Sequence, residues 1–238
     1  MQRSLQENNK IFTFWEGKMP EYIKICLETW RFPFVILNYD NLNQYTDKLP
    51  DKVKQLTLPK IADYVRVHAL RDNGGYWLDA DTIMLSDSLP TANIVGYSES
   101  RNCTIGFLHT DAHSDMFEKW AEYQDEVICR LPERNRDTTT WDVMGNAFVD
   151  DYIRNHKEIT IEPIEKHWAE TYMISGDTPR WDKYKYFYFN STYSLKDIKD
   201  TDMLMLHNSW TPEWYKCLSR QEVLNEKRTM SNILKELI

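Results

Sequence analysis

Two aspartates, Asp79 and Asp81, stand one residue apart in the segment IADYVRVHALRDNGGYWLDADTIML, residues 61–85. At that spacing on an extended chain, side chains point to one side. Two carboxylates so placed can converge on a hard divalent cation with oxygen ligands. Upstream in the same segment, Asp63 and Arg66 are three apart in a helical pattern. Such residues share a helix face, and a carboxylate beside a guanidinium can grip hydroxyls and a phosphate oxygen. The plain alternative is an exposed ion pair of little energetic weight. An isolated Asp-x-Asp also occurs in solvated turns. Here it ends an apolar strand that begins at Gly74-Gly75, directly behind the helix bearing Asp63 and Arg66, and that context is much more specific.

The elements that must position these groups alternate in type. Ile11 to Trp15 is a short β-prone run, and Pro20 opens a helical pattern through Tyr22, Ile23, Cys26, Leu27 and Trp30. Phe34 to Leu37 is a second apolar run. Leu58, Ile61, Ala62, Val65 and Ala69 recur at helix spacing, and that helix should stop at Asn73, where Gly74 and Gly75 supply a C-cap. Strands are expected at Tyr76 to Ala80, Ile94 to Tyr97 and Thr104 to Leu108. This alternation predicts an α/β domain with a mainly parallel sheet, in which ligands bind at the carboxyl ends of strands. In the second half, Met116 to Cys129 and Trp141 to Ile153 read as helices. Ile159 to Ile164, Tyr186 to Phe189 and Met203 to Leu206 read as strands, and Gln221 to Ile238 as a terminal helix.

Composition removes several function classes. The chain has 238 residues, 42% of them hydrophobic and 28% charged, which predicts a folded protein rather than a disordered one. A net charge of −8 disfavours nucleic-acid binding. It also means that an anionic ligand needs an offsetting charge, for which a divalent metal is the obvious candidate. There is no GxGxxG and no GxxxxGK[ST], so neither the dinucleotide fingerprint nor the P-loop is present. No apolar run reaches the ~18 residues of a membrane span, and Met1 to Lys10 is too polar for a secretory signal. A cytoplasmic location is therefore expected. Cys26, Cys103, Cys129 and Cys217 lie far apart without a CxxC pair, which argues against a zinc ribbon and for reduced thiols.

The segment around Asp79 and Asp81 resembles the sugar-binding region with a DXD motif of retaining glycosyltransferases of the GT-A fold. These include family 32, capsular polysaccharide synthesis proteins and the glucosylating clostridial toxins. The family pattern runs approximately Ser-Asp-x-x-Arg, a short helix, then Gly-Gly-x-Tyr-Leu-Asp-x-Asp. Here Ala62 replaces the serine and Trp77 the tyrosine. The opening FWEGKMPEYIKICLETW is similar to the family's first strand, with its Trp-x-Gly, Pro and Ser-Trp. His207-Asn208-Ser209-Trp210 looks like a compressed form of the closing His-x-x-Ser-Trp segment. The resemblance is strong for about the first 90 residues and loose from Thr91 to Met205.

The resemblance implies one GT-A domain over residues 1–238, with a nucleotide-sugar-binding half at 1–110 and an acceptor-side and closing part at 111–238. The implied reaction moves a hexose, from UDP-glucose or UDP-galactose, to a glycan or lipid-linked oligosaccharide with retention. It belongs to bacterial capsular or exopolysaccharide synthesis, with peripheral membrane contact left open. Mn²⁺ or Mg²⁺ would be held by Asp81, with Asp79 contacting the ribose or the metal and His207 completing the shell. Asp63 and Arg66 would grip the sugar, Trp15 would stack on uracil, and Trp77 would belong to the same site. Ser209 and Trp210 would reach the diphosphate. Retention requires either a carboxylate nucleophile, with Asp142 and Asn146 as candidates, or front-side attack in which the leaving phosphate takes the acceptor's proton. The front-side route is preferred. Trp15 and His207 could also be plain interior residues. Two other functions fit the acids or the aromatics: a metal-dependent nucleotidyltransferase or phosphohydrolase, and a non-catalytic carbohydrate-binding module.

Overall fold

The computed structural model describes residues 10–97, 100, 102–132 and 139–238. The expectation for Met1 to Lys10 lies outside the described residues except at Lys10. The chain forms two compact units whose segments interleave. One comprises 1–16, 32–79 and 91–162, and the other 17–31, 80–90 and 163–238.

The first unit is built on a six-stranded sheet. Its strands are β1 (Ile11–Phe14), β2 (Phe34–Leu37), β3 (Gly75–Leu78), β5 (Ile94–Gly96), β6 (Cys103–Thr110) and β7 (Ile161–Pro163), in the order β2-β1-β3-β6-β5-β7. Pairing is parallel through β1–β2 and β1–β3, with Ile11 opposite both Phe34 and Tyr76. It turns antiparallel at β6, where Tyr76 faces His109, and stays so between β5 and β6. The α/β expectation therefore holds, and the parallel strands are those next to the proposed nucleotide-sugar site. Helix α2 (Leu58–Asn73) is buried almost all round, through Ile61, Tyr64, Val65, Val67, Ala69 and Leu70. Together with α3 (Asp115–Arg130) and α4 (Asn146–Asn155) it contributes to a core that includes Phe12, Trp77, Leu108, Trp120 and Val149.

Helix α2 stops where expected. Gly74 has φ 64°, and its N–H caps Leu70 O. A Cβ at Gly74 would lie 2.5 Å from the Ala112 backbone nitrogen. Glycine is needed here for both its handedness and its lack of bulk. The strand that follows is shorter than expected. It ends at Leu78, with Asp79 still held to the sheet by its N–H to Gly106 O (2.9 Å). Ala80 and Asp81 form a turn, so the two aspartates are not alternate positions of one strand.

The second unit has a two-stranded antiparallel sheet of β4 (Thr82–Met84) and β8 (Met203–Met205). Helix α1 (Glu21–Glu28) is fastened to it. Trp30 Nε1 donates to Thr82 O (2.8 Å), and Met84 N donates to Thr29 Oγ1 (2.9 Å). Strand β4 was not anticipated, because three residues are too few to show periodicity. The aromatic run at Tyr186 to Phe189 is helical, a π-type continuation of α6 (Arg180–Lys185) rather than a strand. Three consecutive aromatics, Phe187, Tyr188 and Phe189, are buried there, and so continuous a run carries no period by which to tell strand from helix. The unit also contains the short helices α5 (Ala169–Met173) and α7 (Glu213–Lys216). The terminal helix is two helices, α8 (Arg220–Asn225) and α9 (Thr229–Leu237), separated by extended backbone at Glu226 and Arg228.

Gly74→Ala should destabilise the fold by about 1–2 kcal/mol from handedness alone, with a further cost from the backbone clash. Urea unfolding would measure this, and a stability equal to wild type would contradict the steric account.

Candidate active site

At the carboxyl end of β3, Arg66 joins two acids. Its guanidinium lies 3.2 Å from Asp63 Oδ1 and 3.0 Å from Asp79 Oδ1. It also donates to the Ile105 carbonyl and lies 5.0 Å from the Trp77 ring centre. Trp77 Nε1 donates to the same Asp79 oxygen at 2.9 Å. Asp63 and Arg66 are 8% and 4% exposed. That burial removes the reading of a solvent-exposed helix pair: in a low-dielectric surround each member requires its partners. Arg66 Nε is buried with no partner among the described residues. Trp77 is 1% exposed and contacts the cluster through Asp79 and Arg66.

Burial pushes the Asp63 carboxyl up to about 6, against the opposing pull of Arg66 and with a further push from Asp79. Gln124, which sequence reasoning missed, ties the helix of Asp63 to the turn before α4. Its amide donates to Asp63 O (3.0 Å) and Met144 O (2.5 Å). Gly145 follows in that turn, and a Cβ there would lie 3.6 Å from Asp63 Oδ2. Neither residue belongs to a recognisable motif. The expected helix from Trp141 starts only at Asn146. Asn146 uses its amide on the Cys103 carbonyl, while Asp142 is exposed and caps the turn through its backbone oxygen, accepting from Gly145 N at 3.0 Å.

Trp15 lies one residue past β1, half-buried, with its N–H bonded to Leu37 O (3.0 Å). Its indole Nε1 is buried and unpartnered among the described residues. A buried donor without an acceptor is costly and fits a position where a ligand supplies the acceptor.

In the second unit, Asp81 opens β4. Its carboxylate accepts from Asn208 N (2.6 Å), and its carbonyl accepts from Leu206 N (3.3 Å). Asn208 Oδ1 in turn accepts from Tyr22 Oη at 2.5 Å. Ser209 is exposed, and Trp210 packs its ring 4.1 Å from that of His207. His207 is held neutral, its pKa lowered to about 3 by burial and then by Arg180. Arg180 donates to its Nε2 at 2.6 Å. A neutral imidazole that accepts through Nε2 carries its proton on Nδ1. In this arrangement neither nitrogen presents a free lone pair, so the metal role expected of His207 would require Arg180 to move away. The signal missed is Arg180, which also pairs with the fully buried Glu170 at 2.9 Å and lies against Trp168. Among the described residues no group of three His, Cys, Asp or Glu is placed to hold a metal ion.

The raised Asp63 pKa has a signed consequence. The folded state favours its protonated form, so the stability this group contributes is full below its unfolded value near 4. That contribution is lost as pH rises to about 6. The melting temperature of wild type minus that of Asp63→Asn should therefore fall across this window and flatten above it. A constant or rising difference would contradict the assignment.

No curated protein matches the chain. A solved structure titled "PaToxG Glycosyltransferase" aligns with 65% of this chain and 75% of its own at 14% identity, with a TM-score of 0.42. Among protein families, the one described as capsular polysaccharide synthesis protein matches residues 1–159. That match spans well over half of the chain and includes the helix of Asp63 and Arg66, Asp79-x-Asp81 and the turn before α4. The chain belongs to the capsular polysaccharide synthesis protein family.

Proposed function

We propose that this protein moves a hexose from a nucleoside-diphosphate sugar, UDP-glucose or UDP-galactose, to a glycan acceptor with retention at the anomeric carbon. The observation that carries the reading is the buried Asp63–Arg66 pair joined to the partly exposed Asp79, with Arg66 Nε unpartnered among the described residues. A surface ion pair needs no such burial, whereas a site that reads sugar hydroxyls needs fixed, partly dry carboxylate and guanidinium groups. In this reading Asp63 and Arg66 hold the hexose hydroxyls and Asp79 the ribose. Trp15 stacks on the base and offers its Nε1 to a ribose oxygen. Trp210 and Ser209 serve the diphosphate.

A divalent cation fits this reading in one form. Magnesium-type ions are commonly held by one or two carboxylates plus substrate phosphates, and in this reading Asp81 supplies a carboxylate when the donor brings its own oxygens. His207 would join only by giving up Arg180. When bound, the ion supplies charge neutralisation at the leaving diphosphate. The chain's own residues orient the sugar. The bond from the anomeric carbon to the phosphate oxygen breaks, and one to the acceptor oxygen forms on the same face. The acceptor proton passes to the leaving phosphate. No protein nucleophile is required, in keeping with the Asn146 amide being engaged on a backbone carbonyl and with Asp142 being exposed.

A panel of nucleotide sugars, with and without Mn²⁺, scored for nucleotide release and thermal stabilisation, tests the proposal. One UDP-hexose should be released fastest and should raise the melting temperature most, since a ligand that binds only the native state stabilises it by mass action. Release of nucleotide from every donor alike, or none from any, would sink it. Asp81→Ala should abolish transfer with the fold intact; full activity in that variant would remove the metal role. Trp15→Ala should weaken UDP binding by about 1–3 kcal/mol if stacking follows the scale of base–aromatic contacts, and unchanged affinity would assign Trp15 to the core.

A further inference from the structure

A groove of about 550 Å³ runs along α4 in the first unit, within the roughly 300–1,000 Å³ of small-molecule sites. Asn146 is among its lining residues, next to Gly145, where an added Cβ would lie 3.6 Å from Asp63 Oδ2. Tyr123 lines it from α3, next to Gln124, which bonds the backbone of Asp63. Groove and Asp63–Arg66–Asp79 cluster are thus joined through a single turn.

The walls and the free groups of the groove divide cleanly. Tyr152 is fixed, its ring stacked 3.9 Å from His156 and 5.5 Å from Phe148, and its hydroxyl donating to Asp115 at 2.6 Å. Asp150 accepts from Cys103 N at 2.9 Å. By contrast, the side chains of Asp142, Asp151 and Arg154 make no hydrogen bond or ion pair with another described residue, although all three line the groove. Tyr152 and Phe148 stack on His156, Trp120 and each other, whereas Tyr123 is only tilted against Phe148; its ring beside unengaged planar acceptors and donors suits a ligand with an apolar face and a rim of hydroxyls. Three carboxylates against one guanidinium disfavour an anion.

We propose that this groove is the acceptor subsite, binding the terminal uncharged hexose or N-acetylhexosamine of a glycan. Tyr123 meets the sugar's C–H face, and Asp151 and Arg154 read its hydroxyls. The acceptor role rests on the glycosyltransferase reading; the sugar site itself does not.

Saturation-transfer NMR on the full chain tests it with lactose, cellobiose and N,N′-diacetylchitobiose, using glucuronic acid and glucose 6-phosphate as anionic controls. At least one uncharged disaccharide should bind. Its Kd should rise at least tenfold in an Asp151→Asn/Arg154→Gln double variant, while the Kd for UDP and donor hydrolysis stay within twofold. Both substitutions are at exposed positions, and an unchanged melting temperature confirms folding. Binding of none of the disaccharides, equal binding by the double variant, or binding of the anionic controls alone would overturn the proposal. If disaccharides bind in the groove but wild type neither binds UDP nor hydrolyses any nucleotide sugar, the sugar site stands and its acceptor role is overturned together with the glycosyltransferase reading.

Discussion

The placement of one guanidinium organises the first unit. Arg66 can be buried only because Asp63 and Asp79 flank it and the Ile105 carbonyl accepts from it. Each partner comes from a different stretch of chain: one turn back on the same helix, the end of β3, and the neighbouring strand β6. Helix α2 must therefore lie against the sheet in a fixed register. Gly74 permits this by turning the chain back into β3 in a conformation that other residues rarely adopt. Removing both acids would leave the buried guanidinium uncompensated, whereas removing one leaves it the other acid and the Ile105 carbonyl. The cluster is therefore structural as well as chemical, and its rigidity is what a sugar-reading site requires.

Much of this was legible in the sequence because the signals were local. The apolar spacing of Ile61, Val65 and Ala69 marked the helix, Gly74-Gly75 its end, and Asp63-x-x-Arg66 the shared face. The burial of that face was not legible, since a charged pair three apart looks the same on a solvated helix. Nor was the end of β3 at Leu78, because Tyr76 to Ala80 keeps an apolar character through the turn. The π-helical run at Tyr186 to Phe189 and the break between α8 and α9 depend on tertiary packing that no short window records.

The residues missed share a feature: they act over long sequence separation. Gln124 reaches Asp63 and Met144, and Arg180 reaches His207 and Glu170. Each is an ordinary polar residue in its own neighbourhood. The place of His207 before Ser209-Trp210 suggested a metal ligand, and the partner that sequence could not show is Arg180, which donates to its Nε2. No helix among the described residues is long and apolar enough to cross a membrane.

The central claim is that Arg66, held by its two acids, reads the sugar of the donor rather than its nucleotide. Calorimetric titration of UDP and of the best UDP-hexose against wild type and Arg66→Lys tests it most directly. Lysine keeps the charge but lacks the planar fork of donors. The account predicts that the variant retains its affinity for UDP and loses the additional affinity that the hexose confers. An additional affinity equal to that of wild type would contradict it.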